Sequence, residues 1–204
     1  MTDMDLMSKS KANILALFGK SGAGKDTIQK WMTKNLELVN PLISYTTRPP
    51  RENEENGVDY FFVTEGCFQN LLFLEETEFK GWKYGTSLHT LDNLKVNVGV
   101  FNIAGIRSML RLPGLNVLPI YVQAPDKVRL KRCLNREKNP NCAEICRRFL
   151  ADQQDFLNIN FKYITYQNIS ENQDFFNIHK IPEVETMFTA VRELLSSDSR
   201  GQNN

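Results

Sequence analysis

The chain lacks a dominant charge: 25 lysines and arginines stand against 24 aspartates and glutamates in 204 residues, a formal net charge of +1. No overall field therefore recruits nucleic acid or an anionic membrane, and any positive potential has to be local. Long apolar runs are missing too. None approaches the ~18 residues that span a bilayer, and the N-terminal "MTDMDLMSKSKAN" lacks the basic-then-apolar order of a secretory leader. A cytoplasmic location with no membrane partner is the expectation. Cysteine is sparse, at positions Cys67, Cys133, Cys142 and Cys146, and without a leader these are expected to be reduced thiols. Cys142 and Cys146 can share a helix face, but no histidine or further cysteine stands near them to complete a zinc site. No internal repeat is present, and the sequon "NIS" at 168–170 carries no meaning in a cytosolic chain.

What is present, 41% apolar residues, suffices to bury a substantial core in one domain. Strand and helix patterns alternate: a strand at 13–18, a helix at about 25–38, strands at about 42–46, 98–102 and 117–122, and a last one in "YITYQN". The segments "VLPIYV" and "YITYQN" are β-branched and aromatic, as buried central strands are, and each runs into turn or helix-start chemistry. The alternation predicts an α/β fold, a parallel sheet flanked by helices. Between 45 and 95 it breaks into turn-rich text, read as an inserted subdomain, leaving a core of 12–44 and 96–196. The stretch "RLKRCLNREKNPNCAEICRRFLADQQDF" holds two helical patterns about a polar joint and predicts a small helical lid at about 133–150. Residues 1–11 and 197–204 are polar and aperiodic, so disorder is expected there.

The segment "GKSGAGKDT" at 19–27 sits between the first strand and the first helix. Gly19, Gly22 and Gly24 allow a tight turn with inward N–H groups at a helix start, where unpaired donors and the positive dipole end favour phosphate. Lys25 adds a full charge and Thr27 a hydroxyl. The pattern G-x-x-x-x-G-K-[ST] is missed at one position, since Asp26 follows the lysine. Gly19, Ser21, Gly22, Ala23, Gly24, Lys25, Asp26 and Thr27 are expected to hold a nucleotide's phosphates; a glycine-rich turn with no ligand is the alternative. Further on, Arg48 and Arg51 flank a double proline that stiffens the path of two guanidinium forks, and Tyr60 and Tyr84 offer hydroxyls to the same phosphate. The segment alone equally allows both arginines to pair with Glu52, Glu54 and Glu55 on an exposed loop.

The phosphate loop, "SYTTRPPRENEENGVDYFFV" and "FLEETEFKGWKYGTS", in this order and spacing, resemble the guanylate kinase family, and a weaker likeness continues to about residue 168. The resemblance implies a P-loop NTPase-like fold with an inserted monophosphate-binding subdomain and a lid. It implies ATP with Mg2+ as donor, GMP or dGMP as acceptor, and no nucleic acid or obligate protein partner. Arg48, Arg51, Tyr60 and Tyr84 would hold the acceptor's 5'-phosphate, while Ser44, Glu75 and Thr86 would face guanine. Lys25, Arg48, Arg136 and Arg148 would act on the transferring phosphoryl group, with Arg147 as the alternative to Arg148. Guanine presents two adjacent donors, N1–H and the 2-amino group, which an ionised carboxylate accepts together; adenine offers no such pair. A solvated helix-end carboxylate is the other reading of Glu75, since Glu76 and Glu78 are neighbours.

The chain departs from the family's D-x-D-x-x-G strand end, reading "VFNIAG" with Val100 and Asn102 at the two acidic positions. Asp26 is then expected to supply the oxygen that a magnesium ion needs, unless it serves only to cap the helix. Asn102 keeps an acceptor oxygen for the base but adds donors, which predicts looser guanine selectivity. The helix before "FLE" is shorter than the family's by about four residues. Two other functions fit the sequence: a kinase for a different acceptor, such as another deoxynucleotide or a phosphorylated sugar, and a non-catalytic binding module of the same fold.

Overall fold

All seven residues of the strand Ala12–Phe18 (β1) are buried, because it lies at the centre of a parallel sheet covered on both faces. Side chains alternate across a strand, so Leu15 and Leu17 enter one core layer and Ile14, Ala16 and Phe18 the other. The computed structural model describes residues 12–50, 54–79, 81–136, 138–169 and 177–201. In chain order its other strands are Val39–Pro41 (β2), Tyr45–Thr46 (β3), Phe61–Phe62 (β4), Phe73–Phe79 (β5), Trp82–Ser87 (β6), Val96–Val100 (β7), Leu115–Gln123 (β8) and Ile164–Gln167 (β9). The parallel sheet has the order β2-β7-β1-β8-β9.

Helices Lys25–Asn35 (α1) and Pro182–Gly201 (α6) cover one face, burying Ile28 and Met32 from the first and Val184, Met187, Phe188 and Val191 from the second. The opposite face is closed by Ile106 and Met109 of the helix Ile103–Met109 (α3) and by Phe156, Ile159 and Phe161. Phe18 sits in an aromatic stack, 5.2 Å from the ring of Tyr121 and 5.5 Å from that of Phe161.

Several boundaries differ from those read in the sequence. Helix α1 stops at Asn35, with Leu36 extended, three residues before the expected end. In place of the single strand expected at 42–46 there are two: Val39–Pro41, just ahead of it, joins the parallel sheet, whereas Tyr45–Thr46 belongs to another one. The reason is a tertiary contact. The Leu42 N–H still reaches Val98 O at 2.8 Å, but Gln29 Nε2 donates to both Leu42 O (3.1 Å) and Val98 O (2.8 Å), ending the ladder there.

The inserted residues form a four-stranded sheet of order β4-β3-β6-β5, with a five-residue helix, Glu65–Gln69 (α2), ahead of β5. The Thr64 hydroxyl caps α2 by accepting from Cys67 N–H at 3.3 Å. The lid stretch forms two helices, Asp126–Asn135 (α4) and Cys142–Asp155 (α5), so its helical extent passes the expected 133–150 at both ends. Helix α6 likewise continues to Gly201, past the expected end of order at 196. Residues 1–11 and 202–204 lie outside the described residues. Among the described residues no helix is long and apolar enough to cross a membrane. All four cysteines are free thiols.

Phe18→Ala removes a fully buried ring from the layer that carries the loop. It is expected to lower unfolding stability by about 3–5 kcal/mol, measured by urea denaturation. A loss below ~1 kcal/mol would contradict the packing described.

Candidate nucleotide site

The loop after β1 turns on glycines that nothing else can replace. Gly22 has φ 76°, and a Cβ there would meet Arg129 O at 2.5 Å; Gly24 has φ 94°, and its Cβ would meet Asn168 Nδ2 at 2.4 Å. The loop's carbonyls are held by side chains. Ser21 O accepts from Arg129 (2.9 Å), and Ala23 O accepts from Asn168 Nδ2 (2.7 Å) and Arg132 (3.3 Å). Helix starts leave their first N–H groups without intrahelical acceptors, so the donors at the loop's exit and in the first turn of α1 suit an anion. Lys25 Nζ donates to Gly19 O (2.8 Å) and Lys20 O (3.3 Å). Burial lowers its pKa, while the nearby carboxylates of Asp26 and Asp152 oppose that shift. Asp26 and Thr27 are exposed side by side on the first turn of α1.

The inserted sheet gathers the second set of residues on one face, and its register explains how. Thr46 opposes Tyr84, Thr77 opposes Tyr84 from the other side, and Glu75 opposes Thr86. With a side-chain period of two, Ser44, Thr46, Tyr84, Thr86 and Glu75 all project to the same side. Tyr60 and Phe62, at β4, complete that face: the Arg48 guanidinium lies 5.6 Å from the ring centroid of Tyr60 and 5.7 Å from that of Phe62. The rings of Tyr60 and Tyr84 are 5.9 Å apart. Arg48 also pairs with Glu54, both of whose oxygens lie 2.8 Å from Nη2, while Nη1 donates to Pro49 O at 2.8 Å; a pairing of this kind is what the sequence offered as an alternative to phosphate binding. Burial works against its charge, but Glu54 and Tyr84 outweigh it and raise the pKa. Arg51 lies outside the described residues. Burial first, then the charges of Asp26 and Tyr84, push the Tyr60 hydroxyl up, so it remains a proton donor at neutral pH.

Glu75 is a strand residue, 8% exposed, and the helix-end reading is thereby set aside. Its Oε1 accepts from the Thr86 hydroxyl at 2.9 Å, and Ser44 Oγ lies 3.0 Å from Thr86 Oγ1. Because the Thr86 proton is committed to the carboxylate, Ser44 is the donor in that second bond, giving a directed chain Ser44 to Thr86 to Glu75. Burial raises the Glu75 pKa, partly offset by Thr86 through its hydroxyl and its backbone. On the other side lies Gly105, where a Cβ would sit 2.9 Å from Glu75 Oε2 and 3.3 Å from Asn102 Oδ1. Asn102 thus adjoins Glu75, but its Oδ1 accepts from Gly105 N–H at 2.7 Å and caps α3. Val100 packs against the core.

The lid arginines stand elsewhere. Arg147 and Arg148 both pair with Glu144 on α5, at 2.8 and 2.9 Å, and Arg136 is exposed at the end of α4. Arg136 does act on the inserted subdomain. The Asp59 carboxyl is held below its usual range first by the Glu55 N–H (3.0 Å), then by Lys30 of α1 (3.0 Å) and Arg136. Among the described residues no cluster of three or more histidine, cysteine, aspartate or glutamate side chains forms a metal site.

Sequence reasoning missed Arg129 and Asp152. Arg129 is 1% exposed, and its guanidinium donates to Ser21 O, Asp126 (2.8 Å) and Asp152 (3.4 Å), while Asp152 Oδ2 also accepts the Ser21 N–H at 2.7 Å. The i,i+3 spacing of Asp126 and Arg129 was the available signal, but such pairs are common on exposed helices.

A phosphate loop at the switch between β1 and its neighbours, together with an inserted polar sheet face and a helical pair, defines a P-loop nucleotide kinase architecture. The family model described as guanylate kinase matches residues 11–181. A guanylate kinase of Alkalilimnicola ehrlichii is 32% identical over 184 residues, covering 86% of this chain and 87% of that protein. The guanylate kinase of Rickettsia bellii is 32% identical over 178 residues (83% and 90%), and that of Homo sapiens 32% over 150 residues (69% and 76%). The crystal structure of guanylate kinase from Anaplasma phagocytophilum superposes with a TM-score of 0.56 at 22% identity, covering 91% of this chain and 87% of that one, a likeness of fold. The chain belongs to the guanylate kinase family and is therefore a nucleoside monophosphate kinase.

The Glu75 carboxyl titrates higher folded than unfolded, so the folded chain binds more protons between the two pKa values and loses stability as pH rises through that window. Glu75→Gln keeps the shape and removes the charge. It is expected to raise the melting temperature at pH 7.5 by about 2–4 °C, the scale of 1 kcal/mol for a chain of this size, with the advantage shrinking as pH falls below the folded pKa. A lower melting temperature at pH 7.5 would contradict the burial cost assigned to Glu75.

Proposed function

We propose that the chain transfers the γ-phosphoryl group of ATP to GMP, dGMP or both, with the loop at 19–27 holding the donor and the inserted sheet face holding the acceptor. The observation that carries this reading is the buried Glu75 carboxylate in its chain with Thr86 and Ser44, beside the Arg48, Tyr60 and Tyr84 cluster on the same face. Guanine's N1–H and 2-amino group match the remaining acceptor capacity of a carboxylate that already has the Thr86 hydroxyl, and adenine supplies no such pair of donors. The acceptor's phosphate takes the place of Glu54 on Arg48, since a phosphate dianion carries more charge than the carboxylate and can engage both nitrogens of the fork. Arg51, three residues on, is the second fork.

An acceptor phosphate is ionised near neutral pH, so the reaction needs no general base; positioning and charge stabilisation carry it. Lys25 shifts from the loop carbonyls to the donor phosphates. Arg136 and Arg148 act from the lid, with Arg148 leaving Glu144 as the lid closes. Exclusion of water is required at that stage, because ATP would otherwise be hydrolysed. Magnesium takes few protein carboxylates and keeps phosphate and water ligands, which fits the exposed Asp26 carboxylate and Thr27 hydroxyl. Asp26 and Thr27 would hold the ion there, and with ATP bound it would supply neutralising charge to the donor's phosphates. The domain reading follows: donor core at 12–44 and 96–196, acceptor insertion at 45–95, and a lid formed by α4 and α5.

Coupled assay of ADP formation with GMP, dGMP, AMP and dAMP is the direct check. A guanine nucleotide is expected to exceed its adenine counterpart in kcat/KM by at least ~100-fold, the scale of an unpaired buried charge. A higher rate with AMP would overturn the assignment of Glu75, and no turnover with any of the four would favour the non-catalytic module. Asp26→Asn is expected to raise the magnesium concentration for half-maximal turnover several-fold; an unchanged dependence would remove Asp26 from the metal's surroundings.

A further inference from the structure

We infer that Arg129 and Asp152 are positioning residues for ATP: together they clamp the outer side of the phosphate loop to the lid helix and so pre-orient the loop's inner N–H groups. This rests on the proposed reading of the loop as the ATP site. Arg129 is 1% exposed, and its charge is accommodated because its fork is engaged: NH1 on Ser21 O (2.9 Å) and Asp152 Oδ2 (3.4 Å), NH2 on Asp126 Oδ1 (2.8 Å). Its plane lies 4.8 Å from the ring centroid of Phe149, so the second lid helix packs on it as well. Asp152, also from that helix, accepts the Ser21 N–H at 2.7 Å. The one loop residue is therefore gripped at both its N–H and its carbonyl. A further tie comes from Lys20 Nζ, which donates to Gln153 Oε1 at 2.6 Å.

The clamp acts from the outer side. Where Gly22 turns, an added Cβ would point at Arg129 O (2.5 Å) and Cys133 Sγ (2.9 Å), so α4 forms the loop's backing. Carbonyls at Ser21 and Ala23 are held by Arg129, Arg132 and Asn168, and the Ala23 N–H closes the turn on Lys20 O at 3.1 Å, which fixes the backbone path of the loop between them. A glycine-rich loop without such anchors would have to be ordered by the incoming phosphates, and that ordering is subtracted from their affinity. The same contact sets the place of α5, which carries Arg147 and Arg148. Among the described residues the contacts of Arg129 and Asp152 run to the loop and to α4 and α5 and not to the Glu75 face, so their effect should fall on ATP and not on GMP.

The test is calorimetric binding of MgATP and, separately, of GMP to the full chain and to Asp152→Ala, Arg129→Met and the double variant, with melting temperatures recorded. Asp152→Ala is expected to weaken MgATP about tenfold and to leave the Kd for GMP within about twofold. The double variant should bind MgATP no more weakly than the weaker single variant, as two parts of one device. If Arg129→Met fails to fold, Asp152→Ala still decides the matter, since the Asp152 side chain is 14% exposed on a lid helix. Unchanged or tighter MgATP binding in a folded Asp152→Ala variant would overturn the inference, as would equal weakening of ATP and GMP, which marks a merely structural role. Failure of the unaltered chain to bind MgATP would instead overturn the ATP reading, and the inference with it.

Discussion

A carboxylate kept out of water beside a hydroxyl donor is the interaction on which the rest of the acceptor site depends. Glu75 gains the hydroxyl and backbone donors of Thr86 and loses most of its hydration, an arrangement that leaves the folded chain with a charge it would hold more readily in solution. Such a group is tolerable where a ligand completes it. Everything around Glu75 is arranged to leave that completion to something with paired donors: Ser44 feeds Thr86, Thr86 feeds Glu75, and Gly105 supplies no side chain to fill the gap. On the proposed reading, the cost in stability and the selectivity for guanine are two expressions of one desolvation.

The loop proposed for the donor and the face proposed for the acceptor are tied through α1, where the two sheets join. β2 ends beside α1, where Gln29 fixes the crossing into β3, and Lys30 on the same helix pairs with Asp59 just ahead of Tyr60. Asp26 is near enough to influence the Tyr60 hydroxyl. One helix thus bears the loop at its start, the exposed acid in its first turn, and a tie to the acceptor subdomain a turn later. Lid arginines resting on Glu144 and Arg48 resting on Glu54 have a common logic: each cation is held by a carboxylate that a more highly charged phosphate can replace.

Much of this was legible in the sequence where the signal is local. The apolar run Ala12–Phe18, the glycines after it and the β-branched Leu115–Gln123 and Ile164–Gln167 fix the sheet and the loop by periodicity and turn chemistry alone. The acceptor residues were legible only as a family pattern. In "FLEETEF" nothing local separates Glu75 from Glu76 or Glu78; strand register against β6 and cover by α3 do so, and both are tertiary. The replacement of the single strand expected at 42–46 by two was set by the Gln29 amide, a contact to Val98 across 69 positions. The pairing of Arg129 with Asp152 was hidden for the same reason: two charged residues in amphipathic helices read as solvated faces until the loop is seen between them.

The Glu75 carboxyl itself offers the most direct test, through its pKa followed by carbon-13 NMR of the side-chain carboxyl in the free chain and with GMP bound. The account predicts a value above the ordinary glutamate range when free and a marked fall on adding GMP, because the nucleotide's two donors favour the ionised form. A Glu75 pKa that is ordinary in the free chain, or that GMP leaves unmoved or raises, would contradict it.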